Sequence, residues 1–230
     1  MFIGLNGVQE LAASYPANPL IQRRGQPSTH DVSLATDVLA RLRRCEQVKL
    51  PSYDKAAFHG QGDQAPCEQW RVVNAPDEPK VRIVLLEGWC IGFKALSDGE
   101  LRRRWESAKA QEGAGVYDGR LAFASLCNIS VVNAALKQYD EITKQLDAMI
   151  HIDTADLKLV YQWRLEQEQA LRKCRGTGMT DEQLITFIDG YYPSYELYTE
   201  DMRAGVMKRP AEQLRLIIGE DRKVQEVLQM

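Results

Sequence analysis

At 230 residues, with 44% hydrophobic and 27% charged side chains, the chain is long enough to bury one α/β core, and a single domain spanning 1–230 is the starting expectation. A formal net charge of −3 gives no electrostatic case for nucleic acid or an anionic membrane as partner. No apolar run reaches membrane-span length, and MFIGLNGVQEL lacks the charged leader and cleavage site of a signal peptide, so the chain reads as cytoplasmic. The five cysteines (Cys45, Cys67, Cys90, Cys127, Cys174) are odd in number, scattered, and without CxxC or Cys/His zinc spacing; they read as reduced thiols in packing roles.

In chain order, Phe2 to Leu5 is a short apolar run before Asn6-Gly7, suited to a buried strand and turn. Glu10 to Thr29 is rich in Pro, Gly, Gln and Ser and carries no sustained periodicity. From His30 to Arg44, Leu34, Val38 and Leu42 fall on one helical face. Val81 to Leu86 (VRIVLL) is the strongest β-rich run, predicted to be buried on both faces and ending at Glu87-Gly88. Val131 to Leu146 reads as a helix and Met149 to Ile152 as another buried strand. A long polar helix covers 155–173. Thr180 and Gln183 form a reciprocal cap for the next helix, which runs toward YYPSYELY, where Pro193 bends or interrupts it. Leu214 to Ile218 is the last strand, followed by a polar tail. Strands alternating with helices predict an α/β fold with a mainly parallel sheet.

Four groups could carry chemistry. Glu87 follows the strongest strand, where open parallel sheets bind ligands, and could hold Mg²⁺ directly or through water; it could equally cap a helix or face solvent. Arg23-Arg24-Gly25-Gln26-Pro27-Ser28-Thr29-His30-Asp31 combines two arginines with a helix start. That suits an anionic ligand, but it also suits an ordinary cap by Thr29 or Asp31 with solvated arginines. Tyr53-Asp54-Lys55 and His59-Gly60-Gln61-Gly62-Asp63 place polar groups of both signs between glycines, as in a substrate-orienting loop or a surface turn. The polar helix bearing Arg164 and Arg172 is either a solvated face with i, i+4 ion pairs or a mobile lid over transferring phosphates. His30, His59 and His151 form no metal or triad spacing, and the tyrosines of YYPSYELY read as packing rather than a binding platform.

Together, NPLIQRRGQPSTHD, LPSYDKAAFHGQGD, VLLEGWCIGF, VYQWRLEQEQALR, GTGMTDEQLITFIDGYYPSYELY and LRLIIGEDRKVQEV resemble, in sequence and order, the D-glycerate 3-kinases and their ATP-binding relatives in the phosphoribulokinase/uridine kinase group of P-loop kinases. The resemblance runs from about Asn18 to the C-terminus. It implies a P-loop NTPase-like, mainly parallel sheet flanked by helices, with ATP and Mg²⁺ as cofactors and a small hydroxylated acceptor such as D-glycerate as partner. It also implies residue roles: Glu87 toward the metal; Arg24, Thr29, His30, Tyr53, Asp54 and Lys55 toward the acceptor and phosphates; Asp31, Arg164 and Arg172 toward catalysis, the two arginines on a lid-like region over 155–180.

The departures concern the phosphate side. The first strand of such kinases runs into G-x-x-x-x-G-K-[ST]. Here Gly4-Leu5-Asn6-Gly7-Val8-Gln9 resembles its opening, leaving Gly4 and Gly7 as a loop remnant in a truncated 1–9 segment, but Glu10-Leu11-Ala12-Ala13 follows and no Gly-Lys-Thr occurs in the chain. The Asp-Asp-Phe-Tyr type motif after the next strand, with the expected base, is also missing. Gln64 stands where an arginine is expected. The fold is therefore expected to be incomplete near the N-terminus and phosphotransfer to be impaired; a non-enzymatic metabolite- or protein-binding remnant is the alternative.

Overall fold

The computed structural model describes residues 1–176, 178–209 and 211–230. They form a mixed α/β protein that divides into two compact units: Met1–Ala95 with Cys127–Leu146, and Leu96–Leu126 with Asp147–Met230.

The first unit begins differently from the sequence expectation. Phe2 makes a single antiparallel bridge to His30, and Leu5–Ser14 then winds into helix α1 instead of extending a buried strand. The reason is a nonlocal cap: Asp63 Oδ1 accepts from the Leu5 N–H at 2.8 Å, satisfying a donor that a helix start leaves orphaned. A one-turn helix at Pro19–Ile21 leads to α2, Val32–Arg43. Asp31, rather than Thr29, caps α2 by accepting from the Leu34 N–H at 2.9 Å, an arrangement that contributes about 1 kcal/mol. The buried face of α2 is the one its spacing specified. Val38 and Leu42 pack with Val48 and Val73, while Met1, Leu34, Leu50 and Val81 close the cluster. Val48 and Val73 belong to β1 (Val48–Leu50) and β4 (Arg71–Val73), which pair antiparallel. Between them β2 (Tyr53–Asp54) and β3 (Asp63–Gln64) form a second short antiparallel pair.

VRIVLL departs most from expectation. Val81 is tied to Asn74, whose Oδ1 accepts its N–H at 2.6 Å, but the residues that follow join no sheet, and Ile83 and Leu85 are 79% and 92% exposed. A both-faces-apolar strand is buried when neighbours supply a ladder on each edge; among the described residues none does so here. The single helix expected over Val131 to Leu146 is broken into α4 (Leu126–Leu136), a turn at Lys137–Tyr139 and α5 (Asp140–Thr143).

In the second unit α3, Asp98–Gly113, was not apparent from the sequence; Ser97 caps it by accepting from the Glu100 N–H at 3.2 Å. Strand β5 (Met149–Thr154), helices α6 (Leu159–Arg175), α7 (Asp181–Asp189) and α8 (Tyr192–Arg203), and strands β6 (Gln213–Ile218) and β7 (Val224–Gln229) complete it. The reciprocal Thr180/Gln183 cap forms as the sequence predicts. Pro193 sits in the first turn of α8, where its missing N–H has no cost, so it separates two helices rather than bending one. β5 and β6 are parallel and β6 and β7 antiparallel, so the polar tail is a strand. Among the described residues β5–β6 is the one parallel strand pair; the other sheets are two-stranded and antiparallel. Leu184, Ile188 and Tyr192 are packed by Leu157, Val160, Tyr161, Leu165, Met179 and Phe187, so α6, α7 and α8 share one core. At the C-terminal end of β5, the buried Asp153 takes Arg203 Nε at 2.8 Å and Arg215 Nε at 2.8 Å, tying α8 and β6 to that strand. Ile150 and Ile152, on the opposite face of β5, are 64% and 65% exposed.

Candidate functional site

In the first unit the bridge between Phe2 and His30 starts the site. Ile3 N–H donates to Thr29 O at 3.0 Å, holding the chain start along the Ser28–Asp31 segment. Thr29 is fully buried; its Oγ1 accepts from Gly25 N–H at 2.7 Å and donates to Gln26 O at 2.8 Å, closing the loop that carries Arg24. Thr29 is thus a loop-former. Ser28 holds φ at 98°, a left-handed value that is strained for a side chain with a Cβ and is sustained by this tight loop.

Three of the residues singled out from the sequence come together through an aromatic residue that was not. The Phe2 ring stacks on His30 at 4.8 Å between centroids and lies 5.3 Å from Tyr53. The Arg24 guanidinium stands 5.9 Å from the Phe2 ring centre and 5.6 Å from that of Tyr53. Arg24 is aimed there by carbonyls of the glycine-rich loop: Nη1 donates to Gly60 O at 3.1 Å and to Gln61 O, and Nη2 to Lys55 O at 3.4 Å. Gly62 is required in that loop. Its φ is +78°, and a Cβ built there would collide with the Arg24 guanidinium and the Tyr53 ring.

Lys55 therefore contributes its carbonyl, while Asp54 closes a local turn, its Oδ1 accepting from the Ala56 N–H at 2.8 Å. Asp31 is committed to the α2 cap. On the far side of His30, Nδ1 lies 2.5 Å from Tyr139 Oη. Burial holds the His30 imidazolium pKa down at about 4, so the ring is neutral near neutral pH. Two hydroxyls of this cluster, Ser28 Oγ and Tyr53 Oη, are buried without a hydrogen-bond partner. Orphaned buried hydroxyls are uncommon and call for a partner.

The phosphate side is built differently. Gly4 is the N-cap of α1 and Gly7 lies inside it, so the stretch resembling a loop opening is helical. The amide start that would face a phosphate is already capped by the Asp63 carboxylate, whose charge opposes an anion. Gln64 Nε2 donates to Phe2 O at 3.0 Å, so that position holds the chain start in place. Glu87 is exposed; two residues on, Trp89 Nε1 donates to Gly25 O at 2.9 Å, anchoring that segment to the Arg24 loop. Among the described residues no three His, Cys, Asp or Glu side chains gather as a metal-ion site. Among the described residues, those at the start of α1 do not fit the phosphates of ATP or a Mg²⁺ cage of the expected kind, because Asp63 occupies the amide start and the sequence has no Gly-Lys-Thr.

In the second unit Arg164 and Arg172 both lie on α6. Arg164 Nη1 donates to Gln167 Oε1 at 3.1 Å and its guanidinium stands 5.9 Å from the Phe187 ring centre. Arg172 Nη2 donates to Asp181 Oδ1 at 2.5 Å, pinning α6 to the start of α7. Sequence reasoning missed Phe2, Tyr139 and Trp89. Phe2 was read as a strand residue, and Tyr139 lies in KQYD with no motif to distinguish it.

No family model matches the sequence. The chain is 35% identical over 216 residues to the uncharacterized kinase mug58 of Schizosaccharomyces pombe, covering 93% of this chain and 72% of that protein. It is 31% identical over 208 residues to the chloroplastic D-glycerate 3-kinase of Arabidopsis thaliana, covering 88% of this chain and 40% of that protein. A solved structure of D-glycerate 3-kinase from Cryptococcus neoformans superposes with a TM-score of 0.87 at 31% identity, covering 100% of this chain and 77% of that one. With this extent of identity and a shared fold, the chain belongs to the D-glycerate 3-kinase family of ATP-dependent kinases.

Proposed function

We propose that this chain carries the acceptor side of a D-glycerate 3-kinase, recognises a small hydroxylated acid such as D-glycerate, and is impaired in transferring phosphate to it. The observation that carries this reading is the Arg24–Phe2–Tyr53–His30 cluster with its two unpartnered hydroxyls, Ser28 Oγ and Tyr53 Oη. A hydroxy acid supplies hydroxyls that both donate to and accept from the two unpartnered oxygens, and a carboxylate that complements the charge of Arg24.

Impairment follows from the phosphate side. Family members use ATP, with Mg²⁺ as the general expectation; here α1 occupies the stretch where the loop would open and Asp63 caps its start. Phosphoryl transfer is catalysed largely by positioning and charge stabilisation, so losing the cradle and its lysine removes most of the rate. We attribute this to an internal deletion between Gln9 and Glu10 that took a central strand and covering helix of a mainly parallel P-loop sheet. The bare apolar side chains of Ile83, Leu85, Ile150 and Ile152 support that reading, because such strand residues are normally covered. Arg164 and Arg172 keep their proposed lid role over 155–180 as ancestral positions, and the cytoplasm remains the proposed location.

Calorimetric titration with D-glycerate tests the acceptor reading. Saturable binding, weakened roughly 10- to 100-fold in Arg24→Ala, is the expected result; heats indistinguishable from dilution in the wild type would sink it. Sequencing the transcript across the Gln9 and Glu10 codons tests the deletion. A skipped segment encoding Gly-Lys-Thr is expected, and continuous coding sequence would favour the non-enzymatic remnant instead.

A further inference from the structure

The acceptor reading leaves open what His30 does, and its contact with Tyr139 constrains the answer. Tyr139 is 3% exposed and lies at the turn that breaks the α4–α5 segment, 109 positions from His30 in the chain. The two rings meet edge to face at 5.8 Å between centroids. Among the described residues, the hydrogen-bond partner of Tyr139 Oη is His30 Nδ1, at 2.5 Å.

The Tyr139 hydroxyl proton needs an acceptor. The Cys90 thiol is close enough to be felt electrostatically, but it is neutral and a weak acceptor, and burial pushes its pKa up to about 12. The unprotonated imidazole nitrogen is the strong acceptor within reach. If Nδ1 carried the proton instead, the hydrogen of the buried Tyr139 hydroxyl would have no good partner.

We propose that Tyr139 is a positioning residue that holds His30 as the neutral tautomer protonated at Nε2, so that His30 offers the acceptor a hydrogen-bond donor and not a base. Nε2 is available for that task. Among the described residues, the buried and unpartnered side-chain atoms are Ser28 Oγ, Thr36 Oγ1, Tyr53 Oη, His151 Nδ1 and Thr199 Oγ1, and no atom of the partly exposed His30 ring is among them. The Phe2 ring covers a face of the imidazole and leaves in-plane approach as the route to Nε2.

The donor role rests on the acceptor reading; the tautomer does not, which keeps their failures separate. Long-range proton–nitrogen correlation of the ¹⁵N-labelled full chain at neutral pH, without added acid, reads the tautomer directly. His30 is assigned by loss of its signals in His30→Gln. The expected pattern is a protonated-type Nε2 with a bare, hydrogen-bonded Nδ1. In Tyr139→Phe, which keeps the ring, the His30 pattern moves toward a tautomer mixture while the exposed His59 is unchanged. A wild-type His30 protonated at Nδ1, or a pattern indifferent to Tyr139→Phe, overturns the proposal; the wild-type spectrum decides even if the variant does not fold. D-glycerate titrated into Tyr139→Phe is expected to bind up to about tenfold more weakly than to wild type. If the tautomer is as proposed and that titration shows undiminished affinity, the donor role is wrong. If the wild type binds no D-glycerate, the acceptor reading fails while the tautomer assignment stands.

Discussion

The proposed acceptor side and the proposed phosphate side of the first unit draw on similar residues, and they end in different states. Around Arg24 each group is placed by another: three carbonyls aim the guanidinium, two aromatic rings flank it, and Tyr139 and Phe2 fix His30. Around Gly4 and Glu87 the corresponding groups have other uses. Gly4 caps a helix whose start is closed by Asp63, and Glu87 ends an extended run that, among the described residues, no strand pairs. A binding side chain is useful only when its neighbours hold it. A family's residues can persist in sequence whether or not neighbours hold them, and we propose that the framework on the phosphate side was lost.

Restoring that framework tests the contrast most severely. The chain as it stands is expected to form ADP from ATP at background rate with D-glycerate present. Inserting a relative's phosphate-binding loop and following strand between Gln9 and Glu10 should raise turnover on the order of a thousandfold or more. A coupled ADP assay checks this, and robust turnover by the uninserted chain would erase the distinction between the two sides.

A smaller effect is expected from Gly62→Ala, which forces a Cβ into a left-handed position and against Arg24. A loss of about 1–2 kcal/mol in urea unfolding, with weaker D-glycerate binding, should follow. Unchanged binding would mean that the glycine loop does not aim the guanidinium.

Acid should act on the assembled side first. The folded-state pKa of His30, about 4, lies below its ordinary value of 6.5 because the ring is buried. The unfolded chain therefore binds more protons between those values. The His30 contribution is fully present above pH 6.5 and is lost as pH falls toward 4. His151, also shifted down by burial, acts in the same direction. Thermal melts between pH 7 and 5 should show a falling midpoint, with a shallower fall in His30→Gln; equal slopes would show that His30 is not linked to folding.

The smallest change is expected on the unassembled side. Glu87→Ala should leave unfolding stability within about 0.5 kcal/mol, since the side chain is exposed. A larger loss, read from the same urea curves, would reveal that the phosphate side is more organised than its contacts suggest.

Much of this protein was legible locally. The Leu34–Val38–Leu42 spacing, the Asp31 cap, the Thr180/Gln183 box and the β-rich runs that became β5 and β6 all follow from patterns within a few residues. Six ordered segments carried the family, because six collinear motifs are far more specific than any one of them. Tertiary structure decided the rest. Whether Leu5–Ser14 is helix or strand depended on Asp63, whether VRIVLL is a buried strand depended on neighbours it does not have, and what His30 can offer depended on a tyrosine far along the chain. The physical reason is common to all three. A propensity is set by adjacent residues, but a cap, a strand ladder and a tautomer are each completed by a partner the local sequence does not name.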